Sequence, residues 1–278
     1  MTLTIGVDVG GTKVLAVRLE DDARVAAVAS RPMPGRGATE PDLEQVVAAA
    51  VEDVRDGTVA GVGVSAAGLV DRAGEHYLFG AHLPWRNAPV RARMAERLDV
   101  PVVMDNDANC AAYAELRLGA ARSASSMLLI TIGTGIGGAV VLDGRVVRGA
   151  HGVAGEFGHM QVVPNGARCP CGNRGCWEQY ASGTALVREA RELVLDGSPS
   201  ASRLRELGGA DAVSLTGPLV TQAARAGDPL ARELLGEMGR WLGVGLANLA
   251  AAFDPGCIVV GGGVSEAADL FLASTRDV

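Results

Sequence analysis

Apolar residues come in short blocks along the first part of the chain. Blocks at 3–9, 13–19 and 24–30 read as strands, with Gly10-Gly11-Thr12 and Asp21-Asp22 between them as turns, which predicts an antiparallel meander. The period then changes. Leu43, Val46, Val47, Ala50, Val51 and Val54 recur at helical spacing over 40–56, with Thr39 placed as N-cap and Pro41 in the first turn. A buried strand at 59–66, a helix at 88–98 and a strand at 100–104 come next, so the chain up to Met104 predicts an α/β unit.

From Asp107 the pattern restarts. A helix is predicted over 107–118, a hairpin from strands 127–132 and 138–142 around a glycine loop, a long apolar helix over 228–253, and a strand at 257–260 that ends in Gly261-Gly262-Gly263. Residues 197–215, with Ser198-Pro199-Ser200 and Gly208-Gly209, read as the most mobile segment. Both halves hold a strand, a glycine-threonine loop and a second strand, at Asp8-Val9-Gly10-Gly11-Thr12 and at Thr131-Ile132-Gly133-Thr134-Gly135-Ile136-Gly137. That repetition points to a duplicated fold. The division expected is a smaller N-terminal α/β lobe at 1–107 and a larger α/β lobe at 108–278.

Composition narrows the function. A net charge of -7, from 25 Lys and Arg against 32 Asp and Glu, and the lack of a basic cluster argue against nucleic-acid binding. The N-terminus has no basic head or apolar stretch of signal-peptide length. The longest uncharged run, 123–142, is broken by Gly133, Gly135, Gly137 and Gly138, so it reads as strands and a loop and not as a membrane span. A cytoplasmic protein without membrane partners is expected. Its 38 glycines are about twice the usual share of roughly 7% and cluster between strands, where backbone turns tightly or approaches a ligand. Of five cysteines, Cys169, Cys171 and Cys176 crowd together, which in such a compartment favours a metal over disulfides.

Three constellations carry chemistry. In Asp8-Val9-Gly10-Gly11-Thr12-Lys13, successive backbone N–H groups and a hydroxyl can meet phosphate oxygens while Asp8 holds Mg²⁺ directly or through water; an ordinary hairpin turn is the plainer reading. Gly133-Thr134-Gly135-Ile136-Gly137-Gly138 repeats the device, and neither loop closes with the Gly-Lys-Ser/Thr of a P-loop. Asn106-Asp107-Ala108-Asn109 stands where a strand meets a helix. It suits an N-cap, and it equally suits a general base beside an amide that holds a neighbouring hydroxyl. Finally, Cys169, Cys171 and Cys176 with His159 ten residues upstream supply the three sulfurs and one nitrogen of a closed tetrahedral Zn²⁺ site, with a structural role. Glu156 and Glu178 flank these ligands, either as solvated carboxylates or as acceptors for sugar hydroxyls.

Taken together, Asp8 to Lys13, Asn106 to Asn109, Ile132 to Gly138, Glu156-Phe157-Gly158-His159, Cys169 to Glu178 and Ile258 to Val264 resemble, in order, the motifs of the ROK family of repressors, uncharacterised reading frames and sugar kinases, and within it the bacterial glucokinase branch. The resemblance implies an actin-like, hexokinase-like two-lobed ATPase fold of duplicated ribonuclease H-like α/β domains. It implies ATP-dependent phosphorylation of glucose at O6, with ATP, Mg²⁺ and a structural Zn²⁺. Asp107 becomes the catalytic base, and Asn106, Asp107, Glu156, His159, Glu178 and the backbone of Gly68 the sugar-binding set, His159 serving zinc with one ring nitrogen and sugar with the other. Nucleotide contacts fall on Asp8, Gly10, Gly11, Thr12, Lys13, Gly133, Thr134, Gly135, Gly137, Gly262 and Gly263. A homo-oligomer, dimer or tetramer, is implied as well.

Alternatives within this likeness are a kinase for fructose, mannose or an N-acetylated amino sugar, a repressor, and a non-catalytic zinc protein. A repressor needs a helix-turn-helix module, for which the first strand at Leu3 leaves no room. Family members usually continue past the Gly261-Gly262-Gly263 motif through another strand and a terminal helix. The stop at Val278 therefore implies a fragment or an incomplete nucleotide wall, with weakened ATP affinity expected.

Overall fold

The computed structural model describes residues 3–20, 23–35 and 37–278, so the Asp21-Asp22 turn lies outside the described residues. The chain forms two compact units, one of Met1–Ala114 with Val146–Ala154, the other of Glu115–Arg145 with Gly155–Val278.

The first unit is built on a five-stranded sheet. Strands β1 (Leu3–Val9), β2 (Lys13–Leu19) and β3 (Val25–Pro32) form the antiparallel meander, and β4 (Val59–Ala66) and β7 (Val102–Asn106) extend it in parallel, in the order β3-β2-β1-β4-β7. Helix α1 (Glu40–Val54) starts at Thr39, whose backbone N–H donates to the Asp42 carboxylate at 2.8 Å, the reciprocal half of a capping box. Its apolar stripe and that of α2 (Val90–Leu98) cover one sheet face. Ile5, Val7, Val14, Val62 and Val64 meet Leu43, Val47, Val51, Met94 and Leu98 there in one core. Each such side chain contributes about 1.5–3 kcal/mol when fully buried.

Of the boundaries that move, three have a clear local reason. The strand predicted at 100–104 lies at Val102–Asn106, because Pro101 has no N–H for the ladder, while Asp105 and Asn106 stay paired with Ser65 and Ala66. The helix predicted from Ala88 begins at Val90, since Ala88 forms a bridge with Tyr77. β3 extends to Pro32, which is tolerated on an edge strand. A hairpin of β5 (Leu69–Val70) and β6 (Tyr77–Phe79) was too short to leave a periodic signal. It carries Tyr77, fully buried and edge-on to Trp85 at 5.4 Å.

A second sheet has four strands, β8 (Met127–Ile132), β9 (Ile136–Leu142), β10 (Arg145–Val147) and β11 (Cys257–Gly261), ordered β10-β9-β8-β11. Pairing of Ile132 with Ile136 shortens the hairpin loop to Gly133-Thr134-Gly135, so β9 starts two positions before the expected Gly138. Helix α3 (Asp107–Arg117) runs from the first unit into the second. Then come α4 (Glu178–Ala181), α5 (Gly183–Leu195), α6 (Ser202–Gly208), α7 (Gly217–Arg225), α8 (Pro229–Phe253) and α9 (Ala268–Arg276). The Asp228 carboxylate accepts the Ala231 N–H at 2.7 Å and caps α8. Residues 197–215, expected to be the loosest, include α6, bury Leu204 and Leu215, and are tied down by Arg191, which donates to the Val213 and Leu215 carbonyls at 3.0 and 2.8 Å. Turn-rich composition hid these leucine anchors. Among the described residues no helix is long and apolar enough to cross a membrane.

Candidate active site and metal centre

In the first unit, the C-terminal ends of three neighbouring strands bring polar groups together. Asp8 of β1 pairs in register with Ser65 of β4, and Ser65 with Asp105 of β7. The Ser65 hydroxyl donates to Asp8 Oδ1 at 2.9 Å. One residue past β7, Asp107 opens α3. The cap reading of the Asn106-Asp107 pair is seen directly: Asn106 Oδ1 accepts the backbone N–H groups of Ala108 and Asn109 at 2.9 and 3.2 Å and so caps the helix, while its amide donates to the Gly68 carbonyl and to Asp107 Oδ1, each at 2.9 Å. Asp107 Oδ1 also accepts the Ala108 N–H at 2.9 Å. Its second oxygen takes no hydrogen bond from any other described residue. Burial, and secondarily the negative charge of Asp8, push the Asp107 carboxyl above the ordinary carboxylate range.

The first glycine loop is a tight β1–β2 connection in which the Gly10 N–H donates to the Lys13 carbonyl at 3.1 Å. Gly11 abuts His82, leaving Thr12 and Lys13 exposed. Gly68 is the position where backbone conformation matters most. Its φ of +136° suits glycine alone, and a methyl there would overlap the hydroxyl of Tyr77, which itself donates to the Ala67 carbonyl at 2.7 Å. Gly68→Ala is therefore expected to lower the thermal midpoint and displace the carbonyl that Asn106 uses. A melt with a midpoint equal to wild type would show that the loop relaxes freely.

In the second unit, His159, Cys169, Cys171 and Cys176 place one ligand atom each so that all lie within 4.8 Å of one another. Cys171 Sγ is 3.7 Å from Cys176 Sγ, and His159 Nδ1 is 3.7 Å from Cys169 Sγ. Zn–S bonds of about 2.3 Å at tetrahedral angles require ligand separations of about 3.8 Å, so donor chemistry and spacing both fit a structural zinc. The loop has a firm seat: Trp177, next to Cys176, is fully buried against Gly245 of α8, with its indole N–H donating to the Trp241 carbonyl at 2.7 Å. Glu178 Oε1 lies 3.2 Å from Cys169 Sγ and 3.7 Å from His159 Nδ1, while His159 Nε2 faces Glu156 Oε2 at 3.9 Å. The two ring nitrogens thus look in different directions.

The second glycine loop meets helix ends that the sequence pattern did not mark. Gly183 at the start of α5 donates its N–H to the Gly133 carbonyl at 2.9 Å. Gly133, Thr134, Gly183, Thr184, Gly217, Pro218 and Val264 line a cavity of about 580 Å³, into which the N-terminal ends of α5 and α7 converge. Glycine-rich backbone beside helix N-termini suits phosphate groups. Gly262 and Gly263 come directly after β11, at the same end of the sheet, where Gly261 pairs with Thr131. A cap residue followed by glycine or proline, at Ser182-Gly183-Thr184 and Thr216-Gly217-Pro218, is the signal that could have found these helix starts, which the sequence reading missed; no local signal marks their convergence.

Two α/β units, each with a glycine-threonine hairpin between antiparallel strands, have the architecture of the hexokinase-like ATPase fold class, to which sugar kinases belong. A model of the ROK family matches residues 4–277, and the chain belongs to that family. It is 41% identical over 278 residues to the glucokinase of Streptomyces coelicolor, the match taking in 99% of this chain and 86% of the relative. Among solved structures, a ROK family glucokinase from Streptomyces griseus in complex with glucose and AMPPNP is 42% identical with a TM-score of 0.85, covering 99% of this chain and 88% of that one. The ROK hexokinase from Thermus thermophilus is 34% identical with a TM-score of 0.77, over 99% and 89% of the two chains.

Proposed function

We propose that this protein is an ATP-dependent glucokinase that transfers the γ-phosphoryl group of ATP to the 6-hydroxyl of glucose. The observation that carries the reading is Asp107: a solvent-accessible carboxylate at the β7–α3 junction, held through one oxygen by Asn106 and Ala108, with the other left for a substrate hydroxyl. A loose phosphoryl transition state needs alignment and charge neutralisation more than covalent help. Asp107 orients the hydroxyl and takes its proton late in the transfer. The Gly68 backbone holds a neighbouring hydroxyl, Asn106 fixes that backbone and Asp107 through its side-chain amide, and Glu156, His159 and Glu178 accept or donate the remaining sugar hydrogen bonds. Gly10, Gly11, Thr12 and Lys13, and Gly133, Thr134, Gly135 and Gly137, offer N–H groups, hydroxyls and one ammonium to the phosphates. Gly262 and Gly263 lie on the nucleoside side, and Asp8 would hold Mg²⁺, which supplies charge neutralisation when bound.

Zinc, held by His159, Cys169, Cys171 and Cys176, would stiffen the loop that presents Glu156 and Glu178; with four protein ligands it leaves no place for substrate. Glucose 6-phosphate formation in the cytoplasm, at the entry to glycolysis, is the role this reading gives the protein. A hexokinase of broader sugar scope is the second reading, favoured by the likeness to the Thermus thermophilus enzyme. A coupled assay of ADP release over a panel of hexoses separates the two. Turnover with glucose far above the others supports the glucokinase, comparable turnover with fructose or mannose supports the broader enzyme, and no ADP release with any hexose refutes both.

A further inference from the structure

The residue before the Asn106-Asp107 pair is a carboxylate to which the phosphoryl-transfer chemistry assigns no part. Asp105 stands opposite Ser65 in the sheet, and its side chain is only 14% exposed. Both of its oxygens are engaged. Oδ1 accepts the backbone N–H of Asn106 and the side-chain amide of Asn109, each at 2.9 Å, while Oδ2 accepts Nε and Nη2 of Arg148 at 2.9 and 2.6 Å. With its acceptor capacity given over to N–H donors of the protein, Asp105 is poorly placed to serve as a second base.

Those bonds instead hold the strand-to-helix turn in place. Asn106 is gripped at its backbone N–H by Asp105, at Oδ1 by the Ala108 and Asn109 amides, and at its side-chain nitrogen by Gly68 and Asp107. The Asn109 amide that reaches back to Asp105 is itself 3% exposed, so the turn is closed from both sides. Arg148 is not on a free tail either. It belongs to residues 146–154, which rejoin the first unit; its carbonyl accepts the Ala154 N–H at 3.3 Å, and Gly152 packs so closely on Val70 that a methyl there would overlap the Val70 carbonyl.

We propose that Asp105 and Arg148 are positioning residues for phosphoryl transfer: the guanidinium pins Asp105, and Asp105 pins the Asn106-Asp107 turn so that the open Asp107 oxygen meets the hydroxyl to be phosphorylated. The inference rests on the kinase reading of the site. A misplacement of about 1 Å at a reacting group costs on the order of 10²-fold in rate, and the loss falls on the chemical step.

Steady-state kinetics on a short set of variants test this. Asp105→Asn is expected to lower kcat by about 30- to 100-fold while leaving the KM for ATP within about threefold. Arg148→Met should do much the same, and Arg148→Lys, whose single ammonium reaches the same oxygen without the fork, should fall between Arg148→Met and wild type. Two residues acting as one device give a double variant, Asp105→Asn with Arg148→Met, no slower than the slower single. On an Asp107→Asn background, Asp105→Asn should cost little further. If Asp105→Asn does not fold, Arg148→Met, at a side chain 38% exposed, carries the same comparisons. Wild-type kcat in Asp105→Asn and Arg148→Met, or a loss that multiplies in full with that of Asp107→Asn, overturns the proposal while the kinase reading stands. A wild-type chain that phosphorylates no hexose overturns the kinase reading and this inference with it.

Discussion

Asp107→Asn is expected to lower kcat by about 10²- to 10⁴-fold while glucose affinity stays within roughly tenfold, because the amide keeps the shape and the hydrogen bonds at Oδ1 but cannot accept the proton. Two further measurements distinguish a lost base from a damaged fold. First, kcat/KM of the wild type should fall on acidification at a pH above the usual carboxylate range, since burial foremost, and then the charge of Asp8, raise the Asp107 pKa and only the ionised form is a base. Second, the sign of the stability change is opposite to that of the activity change. A carboxyl whose folded pKa is raised favours the folded state while protonated and loses that advantage as pH rises past its unfolded value and through its folded one. At neutral pH the ionised group is a cost that its exposure to solvent reduces, and Asp107→Asn removes it, so the thermal midpoint should rise slightly while turnover collapses. Near-normal turnover would take Asp107 out of the base role, and a lowered midpoint would make its contribution structural.

Removing the metal is expected to abolish tight sugar binding. Cys171→Ser should lower the zinc content from one per chain and weaken glucose binding at least about tenfold, about 1.4 kcal/mol, because metal free energy is folding free energy for the loop it closes. Cys171 is the exposed cysteine of the set, so its replacement disturbs packing least among the thiols, whereas Cys169 and Cys176 are buried. Stripping the wild type with a chelator and titrating glucose calorimetrically before and after adding back Zn²⁺ is the direct measurement. Glucose affinity unchanged by stripping would detach the metal from the sugar site, and protein that carries no zinc by elemental analysis would remove the metal altogether. The second outcome would also leave unexplained why His159, Cys169, Cys171 and Cys176 gather within 4.8 Å.

The sequence by itself determined the local parts of this protein, because those parts depend on neighbours in the chain. The meander at the N-terminus, α1 with its Thr39 start, the long α8 and both glycine hairpins come from periodicity and turn chemistry that no distant contact has to supply. The cluster of candidate metal ligands was legible for the same reason: three cysteines and a histidine lie within 18 consecutive residues, and their spacing already limits how the loop can fold. Motif order along the chain was enough for the family.

Tertiary structure decided what depends on residues far apart in sequence. That Ser65 donates to Asp8, that Asn106 reaches Gly68, and that Tyr77 lies beneath Gly68 are consequences of strand order and register, which a one-residue slip would undo. The convergence of the α5 and α7 starts on Gly133 and Thr134 belongs to the same class. Arg148 is the clearest case, an arginine just past β10 with nothing in its surroundings to mark it. Only when residues 146–154 rejoin the first unit does its fork close on Asp105, 43 positions away in sequence. Charge pairing of that kind is set by where the backbone places two side chains, and the sequence records the side chains without the placement.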